Sequence, residues 1–151
     1  SVASRGLGDV YKRQLIRKGY CRMPKVEVSV GELIDKITIL EIKQERITDE
    51  KKLSHVNAEL DILRATVISE NISVPQDLVN ELKAINIELW DAEDVIRACE
   101  KDGDFTEAFV DCARLDAILN DKRFLAKNKI NESTQSLVKE QKSYEGLYTA
   151  N

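Results

Sequence analysis

The sequence predicts an all-α fold, an antiparallel bundle of about four main helices with a short extended N-terminal entry and a C-terminal tail segment. Apolar residues recur at helical spacing over most of the chain after Met23. The glycines and prolines of that part are too few for the turns of a many-stranded fold; they are Gly31, Gly103, Gly146, Pro24 and Pro75. A length of 151 residues fits one domain with one core.

The first 22 residues differ in composition from the rest of the chain. They carry many basic residues and a single acid, Asp9. An Arg-rich leader poor in acids is typical of an organellar transit peptide. However, residues 4–14 read SRGLGDVYKRQ, which resembles the in-frame translation of a sequencing adapter. We interpret residues 1–22 as a non-native leader without defined structure, and residues 23–151 as a single helical domain starting at Met23.

Charge and composition exclude several classes of function. Without the leader, Lys+Arg falls from 23 to 17 and Asp+Glu from 27 to 26, so the net charge moves from −4 to −9. Phosphate backbones and anionic membrane surfaces repel such a domain, so we expect no nucleic-acid or membrane binding. Three cysteines without a Cys-x-x-Cys pair fit a reducing cytoplasm. His55 is the one histidine, which nearly excludes Ser-His-Asp catalysis and multi-histidine metal sites. We expect no metal site and no other cofactor.

The first helix is predicted from about Val30 to Ile47. The preceding KVEVSV alternates like an extended entry segment or an edge strand, and Ser29 with Glu32 fits a capping box. One stripe of the helix holds Leu33, Ile37, Leu40 and Ile47, while Ile39 and Ile42 lie on nearly the opposite face. A helix that is apolar on two faces is either central in the bundle or contacts another subunit.

The apolar stripe then restarts at Leu53, which predicts a tight turn near Thr48 and Asp49 and a second helix to about Ile68. A bent continuous helix is the alternative. Residues 69–73 form a polar connection to the third helix, whose predicted capping box is Ser73 to Gln76, with Pro75 in the first turn.

The third helix has the strongest pattern, an apolar stripe at spacings of four and three over about 27 residues, or roughly 40 Å. The stripe consists of Leu78, Leu82, Ile85, Leu89, Ala92, Ile96 and Cys99. Gly103 is suited to the left-handed position that ends a helix.

A fourth helix is predicted from a capping box at Asp104 to Glu107 and reaches about Ile130. Its apolar stripe consists of Phe105, Ala108, Phe109, Cys112, Leu115, Leu119 and Ala126. The two-residue link forces the third and fourth helices into an antiparallel hairpin. We expect the tail to dock through apolar residues, with a short helix starting at Ser136. These residues are Leu137, Val138, Tyr144, Leu147 and Tyr148.

Several segments together resemble a small bacterial family of unknown function. They are VSVGELIDKITILEIKQERI (28–47), ELWDAEDVIRACE (88–100), LNDKR (119–123) and QKSY (141–144). The resemblance covers essentially residues 23–144. It implies a genomic position near surface-polysaccharide and glycosyltransferase genes, but it brings no established activity and no catalytic residue.

Five charged residues lie close to the apolar stripes rather than opposite them, and they form the candidate ligand cluster: Glu41, Glu93, Arg97, Asp116 and Arg123. Helical bundles build metal and ligand sites from such inward groups. The alternative, which we favour, is a structural network of ion pairs, because Glu93 and Arg97 have the spacing of an ordinary helical pair. Analogies to all-α nucleotide pyrophosphatases and helical chorismate mutases find few matching residues, so whether the protein is an enzyme stays open.

The candidate interface consists of Ile39, Ile42 and Trp90. The two isoleucines form the second apolar face of the first helix, and tryptophan often anchors protein–protein contacts. The alternative for Trp90, which we favour, is that it covers the flank of the bundle against the tail. This pattern favours a non-enzymatic interaction or accessory module that forms a homodimer or binds a protein partner.

Overall fold

The computed structural model describes residues 24–143, which form four helices: α1 (Val30–Arg46), α2 (Glu50–Ser69), α3 (Gln76–Asp102) and α4 (Glu107–Ser133). This confirms the all-α fold class. Within the described range no helix is long and apolar enough to cross a bilayer. The proposed leader (1–22) and the tail residues Tyr144, Leu147 and Tyr148 lie outside the described residues.

Helix α1 begins where the sequence predicts, but only half of its capping box forms. The Ser29 hydroxyl accepts a hydrogen bond from the Glu32 backbone N–H at 3.1 Å, as an N-cap residue does. The Glu32 carboxylate instead pairs with Lys127 of α4 at 3.0 Å. Residues 24–29 precede the helix as irregular chain, so the edge-strand alternative is wrong.

Helix α1 is the central element, because it packs against each of the other three helices. Its two apolar faces are both used, and Ile42 on the second face is only 1% exposed. The turn before α2 is real, since residues 47–49 are not helical and Asp49 accepts from the Lys52 N–H at 2.9 Å. The bent-helix alternative is therefore wrong.

Helices α3 and α4 form the predicted hairpin, and Gly103 ends α3 with a φ of +68°. Both predicted capping boxes are wrong. Helix α3 starts at Gln76 without a side-chain cap, because Pro75 takes the N-cap position and has no side-chain oxygen to accept a hydrogen bond. The Asp104 carboxylate accepts from the Thr106 N–H at 3.1 Å. This local turn delays α4 to Glu107, so the link is longer than two residues.

One apolar core joins the four helices. It contains Leu33, Ile37 and Leu40 of α1, Leu60 of α2, and residues of α3 and α4 that follow the predicted stripes, namely Leu82, Ile85, Leu89, Leu119, Ala126 and Ile130. The buried members of α3 end at Ala92, and those of α4 begin at Leu119. The core therefore occupies only part of the α3–α4 hairpin.

Candidate functional site

The five residues of the candidate ligand cluster take part in four separate sets of contacts. Glu41 pairs with Arg64 at 2.8 Å and with Lys83 at 3.2 Å. Glu93 and Arg97 pair with each other at 3.0 Å on the exposed surface of α3.

Asp116 accepts a hydrogen bond from Asn120 at 3.2 Å, and Arg123 pairs with Asp35. Among these contacts only that between Glu93 and Arg97 joins two members of the cluster. A shared ligand site stays a prediction.

The most buried charge of the described chain is Asp35, which the sequence analysis did not single out. Its side chain, on a residue 1% exposed, accepts hydrogen bonds from Arg123 Nε at 2.9 Å, from Arg123 Nη2, and from Asn86 Nδ2 at 2.9 Å. Asn86 also donates to Thr38 Oγ1 at 3.0 Å. The hydrogen bond to Asp35 raises the pKa of Arg123 above its usual value. Asp35, Asn86 and Arg123 thus link α1, α3 and α4, and the buried carboxylate is paired with a cation.

Lys127 is a buried cation that contacts the C-terminal tail. It pairs with Glu32 at 3.0 Å and also with Glu140 of the tail. Burial lowers the pKa of Lys127, but the hydrogen bonds to Glu140 and Glu32 outweigh this and raise it overall.

A second ion pair contacts the described part of the tail, residues 136–143. Lys142 pairs with Asp121 at 2.7 Å. The prediction that Leu137 and Val138 dock the tail is wrong, because both side chains are exposed. The helix from Ser136 does not form within residues 136–143. Within residues 136–143 the tail docks through ion pairs, because Leu137 and Val138 face away from the core.

The three residues of the candidate interface differ in accessibility. Ile42 contributes to the packing within the chain. Ile39 and Trp90 are half-buried, and the Arg46 guanidinium lies 5.9 Å from the centroid of the Trp90 ring. The interface stays a prediction, and Ile39 and Trp90 are its accessible members.

A larger accessible surface lies at the far end of the α3–α4 hairpin, in residues 93–118, which we call the arm. Helix α1 ends at Arg46, which pairs with Asp91 of α3. From Asp91, α3 continues to Asp102, a rise of about 16 Å. Every side chain of the arm is exposed or half-buried. The arm thus projects beyond the helix that covers the rest of the hairpin.

The arm is both apolar and acidic. Four of its large apolar side chains are 40–56% exposed: Val95, Phe105, Val110 and Leu115. Its charged residues comprise eight acids and three bases, a net charge of −5. At its tip, the rings of Phe105 and Phe109 pack edge to face with centroids 5.2 Å apart, a favourable geometry that orders the loop. The arm therefore exposes a surface that is both apolar and negatively charged.

The spacing of apolar residues predicts both stripes of the arm but not the arm itself. The spacing of apolar residues is the same in the covered and the uncovered parts of α3. The available signal was length, because the predicted first helix is much shorter than the third.

Within residues 24–143, no group of three or more His, Cys, Asp or Glu side chains is close enough to hold a metal ion.

Comparison with known proteins gives one match. A family model described as a family of unknown function (DUF6165) matches residues 24–150. No curated protein and no solved structure matches the chain.

Proposed function

We propose, from the premise that this chain belongs to the DUF6165 family of unknown function, that it is a non-enzymatic interaction module. The arm is the surface through which it binds a partner protein. Helices α1 and α2, with the covered half of the hairpin, form the base that supports the arm.

The observation that carries the proposal is that, among the described residues 24–143, no side chain of residues 93–118 is buried. Two antiparallel helices shield only the sides that face each other, and elsewhere in this fold α1 covers the hairpin. In the arm, half-buried Ile96, Cys99 and Cys112 continue the stripes without such a helix. Contiguous apolar surface rimmed by polar residues is typical of a protein-binding site.

The charge of the arm indicates the chemistry of the partner. Eight acids against three bases favour a surface that is basic as well as apolar. A second copy of the chain would place two arms of net charge −5 against each other, within the screening length of about 8 Å at physiological salt. We therefore assign the arm to a different, basic protein rather than to a homodimer.

The test measures which proteins are captured by three versions of the full-length chain: the wild type, an arm variant and a matched control. The arm variant carries Phe105→Ser and Leu115→Ser, and the matched control carries Ile68→Ser, which removes an exposed apolar side chain from α2. We expect the wild type and the control to retain the same protein and the arm variant to lose it. Neutralising the lysines of the captured segment should abolish binding.

Retention by the arm variant would contradict the proposal. So would a dimer in sedimentation experiments that the arm substitutions dissociate, because it would assign the arm to a second copy.

The alternative is a small-ligand or metal-dependent enzyme of the nucleotide pyrophosphatase or chorismate mutase type. It requires the candidate cluster to act together, whereas its members take part in four separate sets of contacts. The division at Met23, a cytoplasmic location and a link to surface-polysaccharide synthesis stay predictions and do not enter the proposal.

A further inference from the structure

We infer that the partner segment is a basic amphipathic α-helix of about three turns that lies on α3 and α4 beyond the end of α1. The inference rests on the proposed function and specifies the shape of the partner. Its basis is the juxtaposition of a short central helix with a hairpin that continues beyond it.

The binding surface for such a helix is the continuation of the surface that α1 occupies. Helix α1 packs against both α3 and α4 and ends beside Asp91. Beyond that point the stripes continue at unchanged spacing through Ile96 and Cys99 on α3 and Cys112 and Leu115 on α4. Helices pack by fitting side-chain ridges into grooves, and the grooves depend on this spacing. The surface that accepts α1 therefore suits another helix.

The backbone of the arm also favours a helical partner. Residues of α3 and α4 satisfy their N–H and C=O groups within their own helices, so the arm presents no strand edge to extend. A segment that lies on its apolar surface must satisfy its own backbone groups, and a helix does so.

The length and charge of the partner follow from the arm. From Asp91 to Asp102 the uncovered part of α3 rises about 16 Å, which matches roughly 11 helical residues. Acids lie on both helices of the arm, including Asp94 and Glu100 on α3 and Asp111 and Asp116 on α4. A helix between them therefore carries lysine or arginine on both sides of its apolar stripe.

The test uses two labelled synthetic peptides of about 14 residues, each with equal numbers of leucine and lysine. In the first, leucines recur at the helical spacing, and in the second they alternate with lysine. Fluorescence anisotropy measures their binding to the full-length chain. We expect the helical-spacing peptide to bind at least about tenfold more tightly and to become helical in circular dichroism.

Protein variants locate the binding. Phe105→Ser with Leu115→Ser should weaken the helical-spacing peptide at least about tenfold, whereas Ile68→Ser should leave its affinity unchanged. A peptide in which glutamate replaces lysine should not bind. Equal affinity of the alternating peptide would overturn the helical inference and leave the proposed function standing. Binding of neither peptide, or binding that the arm variant retains, would overturn both.

Discussion

Replacing Asp35 with alanine should destabilise the fold far more than breaking any exposed ion pair. Asp35 is buried, and its loss leaves the Arg123 guanidinium and the Asn86 amide without their acceptor. Breaking a buried pair in this way costs about 3–5 kcal/mol. The Arg123 side chain is 28% exposed, so water relieves part of the loss and we expect about 3 kcal/mol. For a domain of this size the melting temperature falls by roughly 6–12 °C.

The matched control is Asp91→Ala, which removes the partner of Arg46 on the surface. Both substitutions exchange aspartate for alanine inside a helix, so the change in helix propensity is common to the two. The Asp91 side chain is 60% exposed, and we expect a change below about 1 kcal/mol. Urea unfolding followed by circular dichroism gives both free energies of unfolding. Losses within about 1 kcal/mol of each other would refute the structural importance assigned to Asp35.

Three further predictions concern the helix ends and the tail. Gly31→Ala should cost about 1–3 kcal/mol in urea unfolding, because the new Cβ would lie 2.5 Å from the Lys127 carbonyl oxygen and 2.9 Å from Asn131 Oδ1; an unchanged midpoint would contradict this packing. The Asp104 carboxyl should titrate below 3.8 in NMR, because the hydrogen bonds from Thr106 lower its pKa. Its contribution to stability is then present above pH 3.8 and is lost as the pH falls through the folded pKa, whereas a value at or above 3.8 would contradict the loop geometry. Lys127→Met should release the tail and speed chymotryptic cleavage after Leu137 roughly fivefold, the effect of about 1 kcal/mol. Cleavage at the wild-type rate would show that the pair with Glu140 does not hold the tail.

The sequence predicted well those elements of the fold that depend on residues within a single helix or turn. The stripes of α3 and α4, the turn before α2 and the left-handed Gly103 all follow from local spacing and backbone geometry. The two failed capping boxes are also local. Pro75 at the start of α3 and the turn closed by Asp104 prevent the capping boxes that were predicted from the pairs Ser73–Gln76 and Asp104–Glu107.

The parts that the sequence did not reveal depend on contacts between helices. An aspartate such as Asp35 is usually a surface residue, and only the approach of Arg123 and Asn86 makes its burial favourable. In the same way, Arg97 and Arg123 have similar positions beside their stripes, yet one is exposed and the other joins the interior network. The difference arises because α1 ends beside Asp91.

Hydrogen exchange of the full-length chain with and without the helical-spacing leucine–lysine peptide tests the central claim most directly. We predict that the peptide slows exchange within residues 93–118 and leaves residues 24–92 and 119–143 unchanged. Protection confined to the base of the fold, or binding without protection of the arm, would contradict the assignment of residues 93–118 as the partner-binding surface.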